Sequence, residues 1–386
     1  MNTSKKQIYL DYAATTPVDK AVAEEMSKYM TVDGVFANPS SNHCFGFDAD
    51  DAVEQARTII SNFLDCHTKD IIFTSGATES NNLVIKGFAR ANKEKGNHII
   101  TVATEHKAVL DACRALEDEG FNITYLKPDE NGKITADNLK HAITTKTILV
   151  SIMHVNNETG LIQDIASLGN ILKEQKIFFH VDAVQSLGKL AIDLSSLPID
   201  SASFSSHKIY GPKGIGALFI RNRAKTKLDP LVTGGGQEFG IRPGTLPTHQ
   251  IVGFGKAIKI AENNIDEDYM HIAKLNKTIV EQLSKIKDSV INTDLEHSLP
   301  NIINISFMGV DSVSLITALQ NDIAISSGSA CTSGAIEPSH VITGMGLSDD
   351  RVNSAVRISV GRYTSQGELN TALEKITHEV ERIREC

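Results

Sequence analysis

The 386-residue chain has no C-x-x-C pair. Its five cysteines, Cys44, Cys66, Cys113, Cys331 and Cys386, are odd in number and widely scattered. That argues against a disulfide framework or a cysteine-rich zinc site and fits a reducing compartment. No run of Lys and Arg appears, and the net charge is -9. Direct nucleic-acid binding and attachment to anionic membranes are poor expectations for such a chain. No apolar run reaches spanning length, and the N-terminal "MNTSKKQIYLDYAATTP" has too short an apolar stretch for a signal peptide. Repeats, low-complexity tracts and long linkers are missing too. A cytoplasmic protein with closely packed domains is expected.

What is present is alternation. Apolar runs at 71–74, 98–103, 121–126, 147–153, 177–182, 201–205 and 216–221 are separated by helical patterns at 79–92, 106–119 and 165–176. Several runs are apolar on both faces, as buried strands of a mainly parallel sheet are. Strand–helix alternation predicts an open α/β sheet. An amphipathic helix is expected over 48–66. After the glycine-rich "VTGGGQEFGIRPGTLP" (232–247), two helical segments are expected at 248–264 and 266–286, then a smaller α+β unit. Ser365 and Glu368 form a capping box for a terminal helix with one apolar stripe. The expected large domain covers 18–265, and the smaller one covers 1–17 with 266–386.

Four stretches carry chemistry, and each has a plain structural reading when taken alone. In "SASFSSHKIYGPKG", Lys208 follows a strand, where it is either a surface lysine or a group facing the ligand crevice of an α/β sheet. In "IFFHVDAVQS", Asp182 ends an apolar strand, where a carboxylate is costly unless paired. In "IIFTSGATESNN", a strand, a small-residue turn and a helix start make an anion cradle or an ordinary capped helix. In "TVATEHKAVL", His106 lies just past a strand. Together they match one cofactor. Pyridoxal phosphate needs a lysine, an acid beside its pyridine nitrogen and an anion cradle. A phosphate-loop alternative fails, since "GPKGIG" lacks the G-K-[ST] ending.

"YLDYAATTP", "SGATESNN", "TEHKAV", "MHVNNETG", "HVDAVQS", "HKIYGPKG", "RPGTLP", "SSGSACTS" and "RISVGR" follow one another along nearly the whole chain. In that order the sequence resembles the NifS/IscS-type cysteine desulfurases, in the class V aminotransferase group of fold-type I pyridoxal-phosphate enzymes. The resemblance implies a large domain with a mainly parallel seven-stranded sheet flanked by helices and a smaller α+β domain carrying a cysteine loop. It implies that Lys208 carries the cofactor, that Asp182 pairs with the pyridine nitrogen and that Gln185 meets the phenolic oxygen. His106 would stack on the ring and take part in proton transfer. Ala77, Thr78, Ser205, His207 and a second subunit's Thr245 would hold the phosphate, with Asn157 close to cofactor and substrate. Asn38 and Arg357 would hold the substrate carboxylate, for which an arginine fork is suited. Cys331 would take sulfur from L-cysteine as a persulfide, leaving L-alanine, and pass it to an acceptor such as an iron–sulfur scaffold or a sulfur carrier. A homodimer without a metal is implied.

The alternatives within enzymes are a class V aminotransferase, which has no use for Cys331, and a selenocysteine lyase. A non-catalytic sulfur-relay protein would need a reason to keep Lys208, Asp182 and His106 together. Two departures from the family stand out. Ser206 takes the place of a usual glycine and is expected either to crowd the pocket or to add a hydrogen bond. The chain also stops at Cys386, where relatives that serve the scaffold run on, so weak scaffold binding is expected.

Overall fold

The computed structural model describes residues 7–327 and 338–385. All seven expected runs are strands of one sheet: β2 (Ile71–Thr74), β3 (His98–Val102), β4 (Asn122–Leu126), β5 (Thr147–Met153), β6 (Phe178–Asp182), β7 (Ser201–Ser205) and β8 (Gly216–Ile220). Their order is β2-β8-β7-β6-β5-β3-β4. The five strands from β7 to β4 run parallel, whereas β8 is antiparallel to both of its neighbours. Every residue of β2, β3, β5, β7 and β8 is buried, as expected of strands covered on both faces.

Helices α1 (Lys20–Ser27), α2 (Cys44–Phe63), α3 (Ala77–Ala91), α4 (Lys107–Glu117), α5 (Ala136–Ala142) and α6 (Ile165–Glu174) precede or cross over between these strands. On one face of the sheet Phe73, Phe179, Phe204 and Phe219 pack with Val53, Ile60 and Phe254. On the other, Ile72, Ile99 and Leu218 pack with Leu83, Val109 and Leu116. Each of these side chains, withdrawn from water, contributes roughly 1.5–3 kcal/mol.

The two helical segments expected after residue 247 are a single helix, α7 (Thr248–Leu283), about 54 Å long at 1.5 Å per residue. Asn263, Asn264 and Asp266 are weak helix formers, but no proline or glycine interrupts the pattern there. Asn264 Nδ2 donates to the Ile260 carbonyl at 2.7 Å, so its amide is satisfied on the helix itself. Residue 265 therefore lies inside a continuous helix. Its first half packs on α1 and α2 and its second half on the terminal helix, Gln366–Arg384.

The smaller sheet has the order β12-β10-β9 and is antiparallel, with β9 (Ser289–Ile291), β10 (Ile302–Phe307) and β12 (Ala355–Ser359). Around it lie α8 (Ser312–Leu319), α9 (His340–Gly344), α10 (Asp349–Asn353) and α11 (Gln366–Arg384). The capping box of Ser365 and Glu368 is present at the start of α11. Leu369, Ala372, Leu373, Ile376 and Val380 are its buried stripe.

One short element escapes the sequence pattern. β1 (Ile8–Tyr9) pairs in parallel with β11 (Ile323–Ala324). The chain then continues along β12, where Ser359 N–H donates to the Leu10 carbonyl at 2.8 Å and Ala13 N–H donates to Ser359 Oγ at 2.9 Å. Thr16 finally donates to the His207 carbonyl at 3.0 Å, beside the large sheet. Residues 8–16 thus touch both sheets. Among the described residues no helix is long and apolar enough to cross a membrane.

Candidate active site

The chemistry gathers where β2, β5, β6 and β7 end and the chain turns away. Here a cavity of about 650 Å³ opens, within the range of small-molecule sites. Its walls include Ala77, Thr78, His106, Asn157, Asp182, Gln185, Ser205, His207, Lys208 and Arg357. Residues far apart in sequence meet because parallel strands bring their carboxyl ends to one edge.

The cradle forms first. β2 ends at Thr74, and α3 begins at Ala77 with Gly76 as its cap. Gly76 has φ +150° and ψ 178°, a conformation essentially closed to residues with a Cβ. Thr74 Oγ1 bonds Ser80 Oγ at 2.8 Å and fixes the turn. The first N–H groups of α3 have no partner within the helix and, at Ala77 and Thr78 in the cavity wall, are suited to hold an anion. Glu79 stands beside that site, and Arg242 offsets its charge: Nε donates to Glu79 Oε1 at 2.9 Å. The glycine-rich segment that delivers Arg242 is pinned by the buried Glu238, which accepts from Arg57 at 2.7 and 2.9 Å and from Phe73 N–H at 2.7 Å.

Asp182, the last residue of β6, is only 6% exposed. Its Oδ2 accepts from Asn81 Nδ2 at 2.7 Å and its Oδ1 from Val184 N–H at 3.1 Å. A buried carboxylate held by two donors stays in one orientation. Asn81 is a site residue the sequence reading missed; it lies one helical turn after Thr78, on the helix whose start makes the cradle.

His106 caps α4, its Nδ1 accepting from Ala108 N–H at 3.1 Å. Burial lowers its pKa, with Asp182 opposing and Lys208 assisting. The ring is therefore neutral near pH 7, and its proton sits on Nε2. Burial also pulls His207 down to about 3, with the neighbouring lysines assisting. Its Nδ1 bonds Thr15 Oγ1 at 3.1 Å. Lys208 follows β7 on a short 3-10 turn, and its Nζ donates to the carbonyls of Ala13 and Ala14 at 2.6 and 2.7 Å. Gln185 Nε2 donates to the same Ala13 carbonyl at 2.9 Å.

Arg357, on β12 of the smaller sheet, is 4% exposed. One end of its fork donates to the Asn157 carbonyl and the other to Asp11 Oδ1, both at 2.8 Å. Asp11 is a second residue missed from the sequence, although its "YLDYAATTP" stretch was singled out. Arg357 Nε and Asn157 Oδ1 are buried without a partner among the described residues. Unpaired polar atoms of this kind in a cavity wall suit a polar ligand that completes them.

Three expected residues are not in this wall. Asn38 is exposed, and its Oδ1 accepts from Ser40 N–H at 2.9 Å. Thr245 is exposed on the glycine-rich segment. Cys331 lies outside the described residues.

Ser206 neither crowds the pocket nor adds a hydrogen bond. It is fully buried, and its hydroxyl has no partner among the described residues. The side chain turns away from the cavity toward Gly211, where an added Cβ would stand 2.0 Å from Ser206 Oγ. A glycine at 211 is what makes room for the serine at 206.

Glu105, just before His106, is 0% exposed. Its Oε1 accepts from Met153 N–H at 2.7 Å, while Oε2 has no partner among the described residues. Burial, opposed by the Met153 bond, raises its pKa well above the ordinary value. A carboxyl with a raised folded-state pKa stabilises fully below its unfolded value, about 4.3, and loses that contribution as pH rises through the folded value. Glu105→Gln keeps an acceptor for Met153 without a charge. Thermal melts should show no advantage for Glu105→Gln at pH 4 and a gain of about 1–3 kcal/mol at pH 8. Equal gains at both pH values would show that Glu105 is not held protonated.

A lysine, a fixed acid, a neutral histidine and an anion cradle on one edge of this sheet define an enzyme of the class-V aminotransferase type. The family model for Aminotransferase class-V matches residues 8–371, and the chain belongs to that family. Within it the chain falls among the cysteine desulfurases. A curated relative from Buchnera aphidicola (subspecies Schizaphis graminum), named cysteine desulfurase IscS, is 50% identical over 98% of this chain and 94% of its own length. Another of the same name, from Vibrio vulnificus (strain CMCP6), is 50% identical over 99% of this chain and 94% of its own length. A solved NifS-like protein superimposes with a TM-score of 0.91 at 36% identity, covering 98% of this chain and 100% of that one. A structure described as SspA in complex with cysteine gives 0.83 at 40% identity, covering 93% and 100%.

Proposed function

We propose that the chain converts L-cysteine to L-alanine with pyridoxal phosphate carried on Lys208, and that the sulfur leaves as a persulfide on Cys331 for an acceptor protein. The observation that carries this reading is the placing of Lys208, Asp182, His106 and the α3 N-terminus on one cavity with Arg357 in its wall. The donor set fits the cofactor. Asp182 would face its ring nitrogen and Gln185 its ring oxygen. The N–H groups of Ala77 and Thr78, with Ser205, His207 and Thr245 of the partner subunit in a homodimer, would hold its phosphate.

When bound, pyridoxal phosphate supplies an electron sink for the electrons of a substrate Cα–H bond. Asp182 would present a fixed carboxylate to the ring nitrogen and so favour a proton there. Arg357 and Asn157 would hold the substrate carboxylate and so aim the Cα–H bond; Asn38, exposed outside the cavity wall with its Oδ1 on Ser40 N–H, would have to turn inward to join them. Lys208 Nζ is the base that takes the Cα proton. His106, neutral with its proton on Nε2, would lie against the ring and could hand on a proton from that atom. The Cys331 thiolate attacks the substrate sulfur. An S–S bond forms as the Cβ–S bond breaks; Cβ is reduced to a methyl group, the sulfur is oxidised, and no outside reductant is needed. We place this reaction in the cytoplasm, feeding an iron–sulfur scaffold or a sulfur carrier.

The test is purified protein with pyridoxal phosphate and L-cysteine, assayed for alanine and for sulfide released by a thiol. Alanine and sulfide in equal amounts, without a keto acid, support the desulfurase reading. Alanine that appears only with an added keto acid, without sulfur release, would make the chain an aminotransferase.

A further inference from the structure

Behind the cofactor lysine lies a second one. Lys189 is half-buried, and its Nζ donates to the Gln185 carbonyl at 3.1 Å and to the Gln185 side-chain Oε1 at 3.2 Å. Gln185 Nε2 in turn donates to the Ala13 carbonyl at 2.9 Å, the acceptor that Lys208 Nζ approaches at 2.6 Å. A chain of contacts therefore runs from Lys189 through Gln185 and Ala13 to Lys208.

The chemistry of this chain has one consistent direction. A lysine amine bound to hydrogen donates, and the ammonium form has no lone pair to offer. The Gln185 atom facing it must be the amide oxygen. A carbonyl only accepts, so the atom facing Ala13 must be the NH2. A flipped amide would set its oxygen against the Ala13 carbonyl and its NH2 against Lys189 Nζ, so both neighbours favour the same orientation and Lys189 adds to the hold of Ala13.

The surroundings explain why a lysine is informative here. The small cavity beside Lys189 is also lined by Tyr12, Lys208, Tyr210, Asp268, Tyr269 and Arg362. Asp268 is committed to Arg362, which donates to it at 2.7 Å. His207 lies on the cofactor side and is held neutral by burial. No carboxylate pairs with Lys189 among the described residues. Burial, with the charge of Lys208 in addition, pulls Lys189 down to about 7. An unpaired, half-buried cation beside another lysine is unfavourable for stability alone.

We propose that Lys189 is a positioning residue of the cofactor site: it locks the Gln185 amide with its oxygen turned back and its NH2 turned forward, toward the place of the cofactor's ring oxygen. This rests on the reading above that pyridoxal phosphate sits over Asp182 and Gln185. An N–H donor on that oxygen withdraws electron density and lowers the proton affinity of the bound chromophore. Release of Gln185 removes the donor, and removal of the Lys189 charge acts in the same direction.

The test uses holoprotein without cysteine and reads the pH titration of the visible band in wild type, Lys189→Met, Lys189→Arg, Gln185→Ala and the double variant Gln185→Ala/Lys189→Met. Lys189→Met should raise the midpoint by about one pH unit, and Lys189→Arg, which still donates, should stay within about 0.3 unit of wild type. In the Gln185→Ala background, Lys189→Met should add less than about half of its effect alone, because it acts through Gln185. Thermal melts on each variant establish folding, and Lys189→Gln replaces Lys189→Met if the latter does not fold. A folded Lys189 variant that titrates as wild type, or a shift that persists undiminished without Gln185, overturns the proposal. Failure of wild type to bind the cofactor on Lys208 would instead overturn the reading beneath it.

Discussion

Lys208→Ala should lose alanine formation by about four orders of magnitude while leaving the fold intact, because in the proposed reaction it removes both the attachment point and the base. The structural cost is small. Nζ makes bonds to two loop carbonyls, Ala13 and Ala14, and the side chain is only partly buried. The rest of the cradle, including Asp182 and its two donors, does not depend on it. Borohydride reduction of wild type followed by peptide mass spectrometry should find the adduct on the peptide containing Lys208. The variant should give none, although it still holds some cofactor through the phosphate site. An adduct on a different lysine in wild type would sink the assignment, as would substantial alanine formation by Lys208→Ala.

Cys331→Ser should separate the two halves of the reaction. In the proposed reaction, work at the substrate α-carbon belongs to Lys208, whereas sulfur removal needs its own nucleophile. The variant should therefore bind cofactor normally and still change its visible spectrum when L-cysteine is added. Alanine release should fall by about two orders of magnitude or more, since a hydroxyl is a far poorer attacker of sulfur than a thiolate. The other cysteines among the described residues make poor substitutes. Burial pushes the thiols of Cys66 and Cys113 up to about 12, so thiolate is scarce there at neutral pH. Cys44 is exposed at the start of α2, away from the cavity wall. Alkylation of enzyme reacted with cysteine, then digestion, should place the extra sulfur on the Cys331 peptide. Its appearance elsewhere, or near-normal alanine release by Cys331→Ser, would falsify the role given to this residue.

The large sheet was legible because its strands are short apolar runs bounded by polar turns, and each observed strand falls within two residues of its expected limits. The cavity residues Lys208, Asp182 and His106 were legible for a related reason: each directly follows or ends such a run, so its place at the sheet edge is set by the strand before it. Residues that act through another side chain were not. Asn81 looks like any helix asparagine until Asp182, 101 positions away, is seen against it. Asp11 gains meaning only from Arg357, 346 positions away. β1 and β11 have two residues each, too few for any period to show. The merging of two expected helices into α7 has the opposite cause: weak local propensity over 263–266 is overridden by packing along the helix on both sides.

Residues 8–16 carry a consequence in time. They leave the ribosome among the first, yet their partners, Lys208, Ile323, Arg357 and Ser359, are made later, three of them near the end of the chain. A nascent chain halted at residue 320 contains every strand of the large sheet and still lacks the strand that seats β1 and the arginine that pairs with Asp11. In such a chain the Gln185–Ala13 and Thr16–His207 contacts are available to the segment, but the Ser359 and Arg357 contacts are not. Long-range closures of this kind come late because their loop entropy is offset only once both ends exist. The wall of the pocket is thus complete only once translation has passed residue 359, because Arg357 lines it and pairs with Asp11.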